Sequence, residues 1–350
     1  MKKCTPILSA IFALTILPGL AQAGAAGGFH WASSPPLIMP PKGEGITYYG
    51  VKDPSVVFYD GEYHVFMTTA GTNGWGLAYT HFSDWSQAKA SPIVPLDKSP
   101  MGPGYRAAPQ VFYFAPRKLW YMVYQGGDPM YSTSSDISDP LSWSAPTPFF
   151  DAVPDVVRQP NGEAGWLDFW VICDDANCYL FFTNDNGSFF RAETTLDAFP
   201  AGFHNTTRVM TGPRDDIFEA SNTYRVAGTK NYITLVEAIG PKGRYFRIWK
   251  SDRLDGEWAP IGDSTNVFAG AGNVRFDGKT WSQGVSHGEM IRSGFDQTLS
   301  IDPCRPLQFL YQGLDPDSQE PDYLKLPYRL GLIAATGADP VSEMCTSRIR

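Results

Sequence analysis

Four ionisable side chains stand at the heads of apolar segments in this chain. They are Asp53 before Pro-Ser-Val-Val-Phe, Asp168 before Phe-Trp-Val-Ile, Glu219 before Ala-Ser-Asn, and His287 before Gly-Glu-Met. A charge beside a strand that must be buried is costly unless it has a partner or a task. In a similar segment Ala108-Pro109 takes the place of Asp53-Pro54, so the turn itself does not demand an acid. Gathered around one hollow, such carboxyls would shift one another's proton affinities, leaving one protonated and another ionised near neutrality. That pair is what general acid–base hydrolysis of a glycosidic bond requires. The 10 Trp and 17 Tyr offer flat faces on which sugar rings stack. Glu237 and Glu289 lie near the same segments as further acids. No nucleophile elbow, phosphate-binding loop, zinc-protease helix motif or dinucleotide fingerprint is present, which sets aside serine hydrolase, kinase and dehydrogenase chemistry.

Residues this far apart in sequence meet only if a repeat brings them together. Residues 53–68, 108–123 and 168–183 superpose without gaps, each an apolar strand, a turn rich in Gly, Pro or Asn, and an aromatic-rich return strand. Weaker copies open at Glu219, returning at 232–237, and at His287, returning at 307–311. The spacing of the five openings suits the roughly 40 to 50 residues of a four-stranded blade plus its loops. The pattern predicts an all-β, five-bladed β-propeller, with further blade strands at 77–80, 130–133, 189–192 and 245–249, and with residues 328–333 closing the ring against the first blade. The first strand of every propeller blade lines the axis, so the opening residues would face one centre. Hairpin spacing alone also allows a pair of β-sandwiches; helical periodicity is absent after the first residues.

The chain has 350 residues, 43% hydrophobic and 18% charged, with 34 Gly and 29 Pro, which suits a large core built from short strands and tight turns. A net charge of −8 without a Lys/Arg cluster gives nothing that would follow a nucleic-acid backbone or hold an anionic membrane. Lys2 and Lys3 precede an apolar run ending in Ala21-Gln22-Ala23, which reads as a signal peptide over residues 1–23. The expected product is a secreted, extracellular, monomeric protein whose single propeller domain spans 24–350. Cys4 goes with the signal, leaving Cys173, Cys178, Cys304 and Cys345 for an oxidising compartment. Two disulfides are expected, Cys173 with Cys178 across a hairpin mouth and Cys304 with Cys345 tying down the C-terminal tail, although four cysteines allow three pairings.

Ten blocks in order now become specific. They include Phe29-His-Trp31, Val51-Lys-Asp-Pro-Ser-Val-Val57, Gly104-Tyr-Arg-Ala-Ala-Pro-Gln-Val-Phe-Tyr-Phe-Ala-Pro116, Trp170-Val-Ile-Cys173, Phe218-Glu-Ala-Ser-Asn222, Val236-Glu-Ala-Ile-Gly240 and Ser286-His-Gly-Glu-Met290. The chain resembles the α-L-arabinofuranosidases of glycoside hydrolase family 62 over nearly all of its mature length. The resemblance implies release of single arabinofuranosyl side chains from arabinoxylan or arabinan with inversion. It implies Asp53 as general base, Glu219 as general acid and Asp168 as the carboxylate that tunes the acid. It also implies Lys52, Arg106, Gln110 and Tyr323 as substrate-binding or carboxylate-fixing residues. His287 matches a histidine that helps hold a hydrated calcium ion on the axis. Gly126 and Leu324 depart from the family pattern at places that would grip a xylan backbone. A family 43-like arabinanase or xylosidase, and a sugar-binding propeller without catalysis, are the competing readings.

Overall fold

Short apolar runs closed by Asx, Gly and Pro turns leave each strand only its sequence neighbour to pair with, so the chain folds hairpin by hairpin. Asp60 and Gly61 show the device: both have positive φ, 49° and 82°, and join Tyr48–Tyr59 to Glu62–Gly71 through a two-residue turn whose twist matches the strands. The structure is a computed structural model and describes residues 27–43, 45–158, 165–262 and 265–346. The signal segment read at 1–23 lies outside the described residues.

The strands form five mainly antiparallel sheets. Their inner strands are Tyr48–Tyr59, Ala107–Phe114, Leu167–Cys173, Glu219–Val226 and Ser286–Met290. Each packs against the inner strand of the next sheet, and the fifth packs against the first. That closed cycle is a five-bladed propeller and excludes the sandwich alternative. Between blades two and three the packing is aromatic, with Phe199 4.6 Å from Phe114 and 5.1 Å from Tyr121 between ring centres.

Residue 328 meets blade one as expected, the Val51 amide donating to Tyr328 O at 3.1 Å, but the strand that follows it belongs to another blade. Arg329–Ala335, which contains most of the segment expected to close against blade one, is the third strand of blade five. The closing strand comes from the other end of the chain: Trp31–Ser33 pairs antiparallel with Arg329–Ala335 and parallel with Val274–Phe276. Hydrogen bonds between the two chain ends therefore complete the ring. Trp31 locks the strand, its indole Nε1 donating to the Phe268 carbonyl at 2.6 Å and its ring meeting Phe268 edge-on at 4.8 Å.

The connection that follows Met290 in blade five crosses the far end of the axis. The Tyr113 amide donates to Phe295 O at 2.8 Å, Cys173 N to Gln297 O at 2.8 Å, and Ala227 N to Ile301 O at 2.9 Å, so blades two, three and four all end on this segment. Buried Arg292 adds bonds from one guanidinium nitrogen to Val56 O and Val111 O, at 2.9 and 2.8 Å, and pairs with Glu289 at 2.7 Å. The axis is thus capped at one end and open at the other. Disulfides join Cys173 to Cys178 and Cys304 to Cys345.

Trp31 is 1% exposed, so Trp31→Ala removes a core side chain and a buried hydrogen bond at the ring's seam. A loss of about 3–5 kcal/mol is expected, read as a lowered midpoint in denaturant unfolding with the slope unchanged.

Candidate active site

Near the open end all five inner strands carry one extra residue, in blade five between Ser286 and Gly288 and in the other four at a residue of positive φ. Pairing jumps between Lys52 and Ser55, Ala107 and Gln110, Leu167 and Trp170, and Glu219 and Asn222. At these bulges Asp53, Ala108, Asp168 and Ala220 take φ of 47°, 51°, 56° and 54°. The left-handed region costs an L-residue roughly 1–2 kcal/mol, less for Asp than for Ala. The bulges also correct the fourth repeat by one position. Ala220, not Glu219, is the structural equivalent of Asp53 and Asp168, and Glu219 stands where Lys52, Ala107 and Leu167 stand.

Each bulge amide is then taken up by the blade before it. Asp53 N donates to Gln312 Oε1 at 2.8 Å, Ala108 N to Thr68 Oγ1 at 2.8 Å, and Asp168 N to Gln125 Oε1 at 3.3 Å. Ala220 N donates to Asp168 Oδ2 at 2.9 Å, and in blade five, whose bulge lies between Ser286 and Gly288, His287 N donates to Glu237 Oε2 at 2.7 Å. Thr68, Gln125, Glu237 and Gln312 sit opposite Lys52, Ala107, Glu219 and Ser286 in the hairpins. The matching residue of blade three is Thr183, opposite Leu167. Its buried hydroxyl has no partner among the described residues. Asp168 takes over its duty, and so one carboxylate oxygen of Asp168 is bonded to the residue adjoining Glu219.

These elements surround a hollow of about 380 Å³ lined by Asp53, Asp168, Glu219, His287, Lys52 and Tyr323, together with Trp75, Tyr105, Gln125, Trp166 and Asp185. Its floor is acidic and its walls are aromatic. Burial, then Glu219 and Asp53, hold the Asp168 carboxyl well above the usual carboxylate range. Burial pushes Glu219 up to about 7; Arg244 pulls it down and Asp185 pushes it further up. Arg244 reaches Glu219 Oε1 at 3.0 Å and Glu237 Oε1 at 2.9 Å from one nitrogen. Ser286 Oγ donates to Glu237 at 2.9 Å and accepts from Gln312 Nε2 at 2.9 Å. A chain of hydrogen bonds therefore runs behind the hollow from the Asp53 amide to the Glu219 carboxyl. Lys52 Nζ donates to Tyr323 Oη at 2.6 Å and lies over the rings of Trp75, Tyr323 and Tyr328 at 4.9, 4.3 and 5.1 Å.

The other residues singled out by the sequence fall elsewhere, each for a visible reason. Gln110 is 1% exposed and spends its amide on the Val171 peptide, donating to Val171 O and accepting from Val171 N, both at 2.7 Å. It staples blade two to blade three and does not line the hollow. Arg106 folds back onto Gly102 O at 2.9 Å and onto the Met101 and Gly104 carbonyls, fixing the loop that presents Tyr105. Glu289 lies deeper on the axis, accepting from Ser55 Oγ at 2.6 Å and Val56 N at 2.9 Å. Trp75, Tyr105, Gln125, Trp166, Asp185 and Arg244 do not stand out in the sequence because they sit at strand ends or in hairpin turns, where their types are common. For Gln125 and Glu237 a signal exists: they occupy one position of the repeat, at the end of the return strand.

His287 is 9% exposed, with Nδ1 3.3 Å from Asp53 Oδ1 and 3.8 Å from Asp168 Oδ2, and burial lowers its proton affinity. A neutral imidazole facing carboxylates through Nδ1 leaves Nε2 as a donor for a metal. No three His, Cys, Asp or Glu side chains among the described residues group as a metal cage. The donor set fits a mostly hydrated ion on one imidazole, not a protein-built calcium site of six to eight oxygens.

A propeller whose open end gathers buried carboxyls between aromatic walls has the layout of a glycoside hydrolase. Comparison with known proteins narrows the class. The sequence model described as Glycosyl hydrolase family 62 matches residues 30–334, and the chain belongs to that family. It is 41% identical over 309 residues, 87% of its length, to Alpha-L-arabinofuranosidase C of Cellvibrio japonicus, and spans 46% of that longer protein. The catalytic domain of a family 62 α-L-arabinofuranosidase from Coprinopsis cinerea is 48% identical, with a TM-score of 0.84 and coverage of 88% of this chain and 98% of that one. An α-L-arabinofuranosidase from Podospora anserina, in complex with cellotriose, is 44% identical, with a TM-score of 0.84 and coverage of 90% and 98%. The family 43 reading gives way to family 62.

Asp168 both accepts from the Ala220 amide and resists ionisation, which sets up a stability comparison. Asp168→Asn keeps an acceptor in a left-handed position that Asn tolerates; Asp168→Ala orphans a buried N–H, at about 1–3 kcal/mol. Thermal unfolding is expected to place the Asn variant above the Ala variant by that margin. Because the folded-state proton affinity of Asp168 is raised, its ionisation costs stability as pH rises. The Asn variant is therefore expected to exceed the parent at pH 7, with the gap closing as pH falls toward 4.

Proposed function

We propose that the protein is a secreted, inverting α-L-arabinofuranosidase that removes single arabinofuranosyl side chains from arabinoxylan. The observation that carries the reading is the shared hollow of Asp53, Asp168 and Glu219, in which burial pushes the Glu219 carboxyl up to about 7. Asp53, in contact with His287 and bonded through its amide, takes the proton of a water that attacks the anomeric carbon. Glu219 gives its proton to the departing oxygen as the glycosidic bond breaks. Asp168, itself held toward its neutral form by burial and by Glu219 and Asp53, shares the hollow with the acid and is tied through the Ala220 amide to the residue beside it. Trp75, Tyr105, Trp166 and Tyr323 supply apolar walls, and the small hollow suits a terminal sugar ring rather than the interior of a chain. The two disulfides and the short apolar N-terminal run support export. A hydrated calcium ion, where present, would be held by His287 and would add positive charge beside Asp53 and Asp168.

Proton NMR of arabinoxylan digestion is expected to show free arabinose appearing first as the β-anomer, with the xylan backbone uncut. Glu219→Gln is expected to lower kcat by about 10²–10⁴ while retaining ligand binding. Initial appearance of the α-anomer would reject inversion, and unimpaired turnover by Glu219→Gln would remove that residue from the mechanism.

The pH dependence follows from the same group. Activity needs protonated Glu219, so kcat/KM is expected to fall as pH rises through about 7. The Arg244 cation favours the Glu219 carboxylate. Arg244→Gln removes that pull and is expected to move the alkaline limb to higher pH.

A further inference from the structure

The hollow holds a fourth carboxyl, Asp185, that the mechanism above leaves unused. It lies in the Asn184-Asp185-Asn186-Gly187 turn between the strands Asn177–Thr183 and Ser188–Thr195. Two observations show that this turn is fixed. Gly187, φ +77°, donates to Ile217 O at 3.1 Å and accepts from Gly212 N at 3.0 Å, and a Cβ there would meet Gly212 O. Asn184 Oδ1 accepts from Asn186 N at 3.1 Å and Ser188 N at 3.2 Å. The turn of blade three is thereby pinned to the residues that lead into Glu219. Asp185 itself has φ 55°, a conformation Asp accepts, and its carboxyl lines the same hollow as that of Glu219, near enough to act on its ionisation. Its Oδ1 is buried with no donor among the described residues.

We propose that Asp185 is a positioning residue for the acid: it pairs with the Glu219 carboxyl and holds the shared proton there until the departing oxygen takes it. This rests on the assignment of Glu219 as general acid. Two carboxyls in hydrogen-bond contact with an unpaired buried oxygen cannot both ionise cheaply, so one proton stays between them. Of the groups facing Asp185, Asp168 favours its neutral form by charge, whereas Glu219, as a hydrogen-bond donor, and the cations Arg244 and Arg214 favour its ionised form. Burial, then Asp168, pushes Asp185 up to about 6, while Glu219 lowers it and Asp185 in turn raises Glu219, which places the proton of the pair on Glu219.

The test is Asp185→Asn, which suits the left-handed backbone, with Asp185→Ser as a second variant should the first fail to fold, and thermal unfolding as the control. Each is assayed against pH on an arabinosylated xylo-oligosaccharide, whose leaving oxygen needs a proton, and on 4-nitrophenyl α-L-arabinofuranoside, whose leaving group does not. The expected result is a roughly tenfold loss on the oligosaccharide, little loss on the aryl glycoside, and an alkaline limb moved down by about one pH unit, because a neighbour that favoured the protonated acid is gone. A limb coincident with the parent's, or equal losses on both substrates, overturns the proposal. Glu219→Gln run in parallel separates the two levels of failure. Leaving-group-dependent loss in Glu219→Gln with none in Asp185→Asn sinks the positioning role alone, whereas undiminished oligosaccharide turnover by Glu219→Gln sinks the acid assignment and this proposal with it.

Discussion

A bulge amide in one blade, held by a side chain of the blade before it, is the contact on which the site depends. It recurs around the ring, with Thr68, Gln125, Asp168, Glu237 and Gln312 as the acceptors. An extra residue in a strand would otherwise leave an unpaired N–H in the interior, at a cost comparable to a lost hydrogen bond. Bonding it across the blade boundary does two things at once. It fixes the rotation of each blade about the axis, and it sets the direction in which the bulge side chain leaves the strand. The carboxyl geometry is therefore a property of the whole ring, and the seam at Trp31 bears on chemistry far from it.

The belt is irregular at one point, and the irregularity falls where chemistry needs it. Thr183 does not reach the next amide, and Asp168 does so with its own carboxylate. The third carboxyl is thus anchored directly to the backbone beside Glu219. Nearby, Arg244 divides itself between Glu219 and buried Glu237, the latter pushed up to about 8 by burial against the pull of Arg244. One cation shared by two acids leaves neither fully compensated. Charges this poorly compensated lower stability and raise proton affinity together, as expected where function rather than stability sets the residue choice.

The architecture and the acids are legible in the sequence because both follow from periodicity. Residues 53–68, 108–123 and 168–183 share the left-handed bulge at Asp53, Ala108 and Asp168, although the second hairpin is two residues longer, so that Gln125 and not Val123 stands where Thr68 and Thr183 do. The fourth unit aligns one position off because apolar pattern does not record which residue of a bulge turns left-handed. Gln110 and Arg106 look available because polar side chains in a motif carry no sign of whether they face a cavity or a neighbouring peptide. Asp185 is hidden for the opposite reason: in an Asn-Asp-Asn-Gly turn an acid looks like punctuation, and only the pinning of Gly187 to Gly212 shows where it points.

The cap over the far end of the axis has a consequence for traffic. With Phe295, Gln297 and Ile301 drawing blades two, three and four shut, the described residues leave a molecule in the hollow no exit along the axis but the opening by which it came. Occupancy is then strictly sequential. The departing guest and its successor compete for a single doorway, and the shape of the rim around Tyr105 and Tyr323 governs both arrival and escape.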